Sequence, residues 1–220
     1  MLKNIALIPR RADLAPADFR HHYETSHAPL AVKHLRGFAK YVRNYVVAAD
    51  PPEPGFDSLS EFWFADAEAL KSVLATLESA AGTALRLDEE RFMDRSRNAA
   101  AAVEEHLLHG APREVERRVT RKWGLLFRAT GAEDESDLHA TARRSAERLI
   151  RECASSIHRV VLDLPVAPRP GNFPFGALLT IWPAHGQDSL ELLSAAIEPG
   201  VDVVRVSLDS FETPPHVLER

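Results

Sequence analysis

The chain has 220 residues, 45% of them hydrophobic and 27% charged, and a formal net charge of −5. These are ordinary globular values, and the mild acidity leaves no basic footprint for nucleic acid or an anionic membrane. One cysteine, Cys153, excludes an intrachain disulfide and a cysteine-clustered metal site. No apolar run approaches a bilayer span, and Met1–Arg10 is too interrupted for a signal peptide. The expectation is a cytoplasmic protein with neither nucleic-acid nor membrane partners.

Lys3–Ile8 reads as a short buried strand stopped by Pro9. Ala15-Pro16 opens a helix, where proline suits the first turn. Phe19, Tyr23, Ser26 and Leu30 recur at spacings of three and four and so share one face, with His27 at its edge beside Tyr23. Pro29 disfavours helical backbone at Ala28, which predicts a helix end or kink close to His27. At such an end the imidazole meets the negative pole of the helix dipole, which favours its protonated form. A histidine that titrates near neutrality is a candidate acid or base. The structural alternative is a capping histidine bonded to a backbone carbonyl.

Phe38–Val47, rich in aromatic and β-branched residues, is a second strand; Asp50–Gly55 is a loop, and Ser58–Phe64 a third strand. Asp66 reads as the N-cap of a helix through about Ala81, with Leu70, Val73, Leu74 and Leu77 on one face. Asp88–Asp94 is a polar stretch in which Asp88 and Asp94 read as loop or cap residues, or as acidic groups at a barrel mouth that could bind a substrate, and Ala99–His109 ends as a strand. A charged connector, Arg113–Arg118, precedes a restart of the pattern. Lys122–Arg128 is a strand, and Ser136–Cys153 is the clearest helix, with Leu138, Ala142, Ser145, Leu149 and Ile150 along one side. Strands His158–Leu164 and Phe175–Trp182, a short helix Ser189–Ala196 and a strand Val201–Leu208 complete the copy.

The order β-α-β-β-α-β thus occurs twice, in residues 1–110 and 119–212. Each unit would give a four-stranded antiparallel sheet with its helices on one face, the ferredoxin-like plan. Each bare sheet face then needs a cover. The expected fold is α+β, two tandem ferredoxin-like units packed sheet to sheet as an intrachain α+β barrel.

Tyr23 could orient His27 or donate a proton, or simply bury its ring with its hydroxyl bonded. Tyr45 and Asn44 point to opposite faces of their strand, and Tyr45 is assigned to the pocket. Glu61 shares a face with Trp63; beside large aromatics its carboxyl would have a raised pKa and could handle protons. Pairing with a lysine or arginine weighs more heavily for Glu61, because buried carboxylates seldom stay unpaired. The adjacent His21 and His22 point apart, His34 would share a side with His27 only if the helix continued past Pro29, and His106 and His109 show no ligand spacing, so no metal site is expected. No cofactor is assigned, with haem ligation by a histidine left open.

Tyr23-Glu24-Thr25-Ser26-His27-Ala28-Pro29-Leu30 resembles the box ending in His-Ala-Pro-Leu of the EthD family, within the dimeric α+β barrel superfamily. Tyr41–Tyr45, Glu61–Phe64, then Asp88, Phe92 and Asp94, and finally Val103–His106 continue the resemblance across about residues 1–110. The second half lacks the box and resembles a degenerate barrel partner. Fold travels along such a resemblance better than function does. Relatives include a protein encoded beside ether-degrading oxidases and others that dehydrate, decarboxylate or cyclise polyketides. More distant ones oxidise aromatic compounds without a cofactor or bind haem.

The functional expectation is a protein that binds a small apolar molecule, aromatic or polyketide-like. Its leading form is a cofactor-independent acid/base enzyme of dehydratase, decarboxylase or cyclase type, with His27 and Tyr23 catalytic. Tyr45, Glu61, Trp63 and Phe19 would line the substrate site. The alternatives are a monooxygenase or haem-handling protein, and a non-catalytic carrier. Monomer and homodimer both remain open.

Overall fold

Eight strands account for the β-branched and aromatic runs of the sequence. In the computed structural model, which describes residues 1–112, 120–129, 135–184, 193, 197–198 and 200–219, they are β1 (Leu2–Ile8), β2 (Phe38–Asp50), β3 (Ser58–Phe64), β4 (Ala99–His109), β5 (Thr120–Arg128), β6 (Ile157–Pro165), β7 (Phe175–Pro183) and β8 (Val203–Glu212). The helices are α1 (Pro16–His22), α2 (Ala28–His34), α3 (Ala67–Leu77), α4 (Ala80–Phe92), α5 (Glu135–Cys153) and a terminal turn, α6 (Pro215–Leu218). The connector Arg113–Arg118 and, apart from the buried and helical Leu193, the helix expected at Ser189–Ala196 lie outside the described residues.

The strands form one closed antiparallel barrel in the order β1-β3-β2-β8-β5-β7-β6-β4. This overturns the expected fold of two separate ferredoxin-like sheets packed face to face. Two open sheets would have left β2, β4, β6 and β8 as edges with unpaired backbone groups, a liability that closure removes. Here β2 pairs along β8, from Val42↔Glu212 to Asp50↔Arg205, and β4 pairs along β6, from Val103↔Pro165 to His109↔Val160. The lengths of β2 and β4, 13 and 11 residues, supply the reach for both seams.

Alternation sorts side chains to the two surfaces of the wall. Ile5, Leu7, Leu59, Leu126, Val204 and Val206 pack in the interior, and Lys3, Glu61, Trp63 and Lys122 continue the same rows. On the outside, α5 lays Leu138, Ala142, Ala146 and Leu149 against Trp123, Leu162 and Leu179. The opposite outer wall, Ala6, Ile8, Tyr41 and Tyr45, is covered by Phe19, Tyr23 and Ala28 of the first helical layer and by Phe92 of α4.

Two helix assignments change. The helix opened by Asp66, whose carboxylate accepts from the Ala69 N–H, stops at Leu77 rather than Ala81. A second N-cap, the Ser79 hydroxyl bonded to the Ala81 N–H, starts α4, so the polar stretch Asp88–Asp94 is largely helical. The other change is at His27, where the expected end or kink takes the form of a widened turn. Residues Tyr23–His27 form a π turn, in which the Ala28 N–H reaches back five residues to the Tyr23 carbonyl, and the chain runs straight on into α2. Widening the turn accommodates Pro29, whose missing N–H and ring disrupt a regular α-helix. It also advances the buried face by one residue, so that His27 and Ala31 are buried while Ser26 is exposed.

Candidate active site

Between this helical layer and the barrel wall lies a cavity of about 200 Å³. Most of its lining is apolar, including Ile5, Phe62, Phe64, Val73, Leu77 and Met93, and its polar lining consists of His27, Tyr23, Tyr41, Asn4, Asn98 and Glu89. An apolar hollow with a few placed polar groups is the usual form of a small-molecule site.

The π turn sets the geometry of the histidines. At 3.6 residues per turn, residues five apart lie roughly 140° apart around an α-helix. The π turn closes that angle, so His22 and His27 both face Asp88 of α4. His27 Nδ1 donates to Asp88 Oδ2 at 3.0 Å, and His22 Nε2 lies 3.0 Å from Oδ1. The Phe92 ring packs against both imidazoles, 4.9 Å from His27 and 5.1 Å from His22 between centroids. Two effects compete on His27: burial disfavours the imidazolium, and Asp88 favours it. Burial wins and pushes the pKa below its ordinary value, the reverse of the outcome expected from a helix end. With Nδ1–H committed to Asp88, the neutral ring carries its lone pair on Nε2. That atom has no hydrogen-bond partner among the described residues.

Beside His27, hydroxyls line up on the wall. Tyr41 donates to the Tyr23 oxygen at 3.1 Å, and Tyr23 lies 2.9 Å from Ser60 Oγ. The Tyr23 ring meets the His27 ring edge-on at 5.4 Å, so Tyr23 positions His27 by contact rather than by a hydrogen bond. Burial pushes both phenols up, and both therefore remain donors at neutral pH. Burial also raises the Glu89 carboxyl, against the pull of Arg95.

Of the six residues assigned to the site from sequence, the cavity unites His27 and Tyr23. Phe19 stands behind them, with its ring against Tyr23, Tyr45 and Phe92. Tyr45 shares their face but turns away: its hydroxyl donates to Glu24 Oε1 at 2.6 Å, in a cluster that Arg43 completes with two 2.8 Å bonds to the same carboxylate. Glu61 and Trp63 face the barrel interior, on the far side of the wall. There Lys3 lies 2.9 Å from Glu61 and 4.7 Å over the Trp63 ring, which is the pairing that weighed more heavily in the sequence. Asp88, His22, Tyr41 and Asn4 went unassigned. Tyr41 was legible, being four residues before Tyr45 on the same strand face; Asp88 and His22 depend on α4 and on the π turn.

Residues 11–96 match the family model of the EthD domain. No match was found among curated proteins. Among solved structures the chain is similar to an anthrone oxidase-like protein, 11% identical, with a TM-score of 0.59 over 96% of this chain and 92% of that one. It is also similar to a protein described as a monooxygenase from Fusobacterium nucleatum, 9% identical, with a TM-score of 0.52 over 95% and 91%. At such identities the likeness is one of fold. An ethyl tert-butyl ether degradation (EthD) family protein from Bacillus halodurans aligns over its full length with 48% of this chain, 20% identical, with a TM-score of 0.38.

Proposed function

With residues 11–96 forming an EthD domain, we propose that the chain is a cofactor-independent acid/base enzyme acting on a small apolar carbonyl compound, aromatic or polyketide-like. The observation that carries the reading is the His27–Asp88 pair, with its open Nε2 on an apolar cavity. His27 Nε2 takes a proton from the carbon next to the carbonyl. Asp88 holds the tautomer and balances the imidazolium as it forms. The Tyr23 hydroxyl, whose oxygen accepts from Tyr41, donates to the oxygen on which the enolate charge develops. Apolar walls keep water from the carbanion. Return of the proton to another carbon gives isomerisation, and its transfer to a β-hydroxyl as that C–O bond breaks gives dehydration with loss of water. Attack of the carbanion on a second carbonyl of the same molecule, whose oxygen takes the proton, gives cyclisation.

The size of the cavity narrows the substrate. About 200 Å³ lies below the range of roughly 300–1,000 Å³ for pockets of drug-sized ligands, which suits one or two fused rings and is too small for haem. A second reading shares the first step: the carbanion is trapped by dioxygen, an oxidation in line with the descriptions of two structural neighbours, one as a monooxygenase and one as anthrone oxidase-like. A carrier would use the same cavity without the proton transfer.

The test is hydrogen–deuterium exchange at the α-carbon of 2-tetralone, followed by NMR, for the wild type and His27→Gln. Removing a general base costs about 10²–10⁴-fold, so exchange should fall by at least 100-fold while binding is kept. Equal exchange rates in the two proteins would sink the acid/base reading. Binding without exchange in either would leave a carrier, and His27-dependent oxygen uptake would favour the oxygenase.

A further inference from the structure

Two amides in the cavity have no counterpart in this mechanism. The Oδ1 atoms of Asn4 and Asn98 are sealed from solvent and have no hydrogen-bond partner among the described residues. Both side chains line the cavity that holds His27. A buried acceptor without a donor is costly, and the great majority of buried polar atoms avoid that state. The two orphans stand at opposite ends of one hollow. Asn4 lies on β1 opposite Phe62. Asn98 immediately precedes Ala99, the partner of Leu7, which sets it beside Ile8. Four residues of strand separate the two levels, about 13 Å. Tyr23 lies between them, because it bonds Ser60, the partner of Ala6.

We propose that Asn4 and Asn98 are the specificity-determining residues of the cavity, and that its ligand is a flat apolar molecule with a hydroxyl at each end. Each hydroxyl donates to an otherwise orphaned Oδ1. The apolar middle of the ligand then lies against Tyr23 and His27. A hydroxyl also suits either orientation of an amide, because it can donate and accept. With Oδ1 facing the hollow, a carboxylate suits neither end, since it has no proton to give. The inference rests on the cavity being a ligand site and adds which ligand it selects.

The test compares naphthalene, 2-naphthol and 2,6-dihydroxynaphthalene by calorimetric titration of the wild type, Asn4→Leu and Asn98→Leu. The wild type should gain about 5–10-fold in affinity with each hydroxyl. Each variant should lose one such step while binding naphthalene at least as well. A second readout needs no ligand. Replacing an orphaned amide by leucine removes the desolvation penalty, so each ligand-free variant should melt a few degrees higher. Asn→Ala at each position guards against a leucine that overfills the space.

A gain from the second hydroxyl that survives undiminished in both variants, or naphthalene binding the wild type as tightly as the diol, overturns the inference. Failure of every probe to bind overturns it together with the ligand-site reading. Hydroxyl selectivity without 2-tetralone exchange would leave this inference standing and remove the acid/base one; exchange without selectivity would do the opposite.

Discussion

His27 is neutral where most enzymes work, and that decides what it can do. Burial holds its pKa below the ordinary value although Asp88 pulls the other way. Exchange catalysed by the neutral ring should therefore rise along a limb below pH 6.5 and be flat from neutral upward. Asp88→Asn removes the group that raises this pKa. It also offers an amide donor to Nδ1, which moves the ring proton to Nε2 and fills the lone pair that would accept the substrate proton. The rate should fall by about 10²–10⁴-fold, the order seen when a histidine base is locked in the wrong tautomer. The pH–rate profile of 2-tetralone exchange checks both points. A limb centred above pH 7, or wild-type rates in Asp88→Asn, would show that the pair is not the base.

At the scale of elements, the site depends on how α3 gives way to α4. Gly82 sits where the two helices meet; a Cβ there would lie 1.9 Å from the Leu77 carbonyl oxygen. Gly82→Ala must push α4 off α3, and α4 carries Asp88 together with the buried Leu85 and Phe92. Its cost should be about 1–3 kcal/mol, as for overpacked cores, with the exchange rate falling as Asp88 shifts. Calorimetric melting of the variant checks the first part; an unchanged melting temperature would mean that the helices have room to part. The same junction marks where sequence legibility stopped. The aromatic-rich run Ser58–Phe64 and the stripe of Ser136–Cys153 declare a strand and a helix, and both occur as read, within a residue. Residues 80–92 carry few apolar side chains on a shared face, and Ser79 as a cap was masked by the apparent continuation from α3. The π turn defeated a 3.6-residue reading more completely, because a one-residue expansion reassigns every later residue of the helix. His27 and Tyr23 were legible from residue type and spacing; the orienting Asp88 was not, since its role exists only once both helices are in place.

At the scale of the whole molecule, closure of the barrel gathers charge in its interior. Lys3 lies within 2.9 Å of Glu61, Glu105 and Asp163, and Lys122 adds Asn44 at 3.0 Å and Glu61 at 3.7 Å. Strand alternation put Glu61 on a covered face, where it meets Lys3 of β1, Asn44 of β2 and Lys122 of β5. The carboxylates of the β4–β6 seam that share Lys3 with it, Glu105 and Asp163, could not be supplied by a reading that kept the halves as separate sheets. Burial, reinforced by the neighbouring carboxylates and only partly opposed by Lys3, pushes the Asp163 carboxyl up to about 7. For Lys3, burial alone would lower the pKa, but the carboxylates outweigh it and hold the ammonium above its ordinary range. Its stabilisation is therefore fully present at every pH below about 10. Asp163 behaves differently. Between about pH 4 and 7 the folded chain keeps a proton that the unfolded chain has lost, so stability drops as pH rises through that window and levels off above it. Glu89 adds to this slope, and His27, with its lowered pKa, opposes it. The informative quantity is accordingly the difference between the wild type and Asp163→Asn. Denaturant titrations at pH 4.5 and 7.5 should find the variant gaining about 2–4 kcal/mol on the wild type between the two conditions. Parallel losses in the two proteins would mean that Asp163 is ionised throughout, with Lys3 holding all three carboxylates as anions.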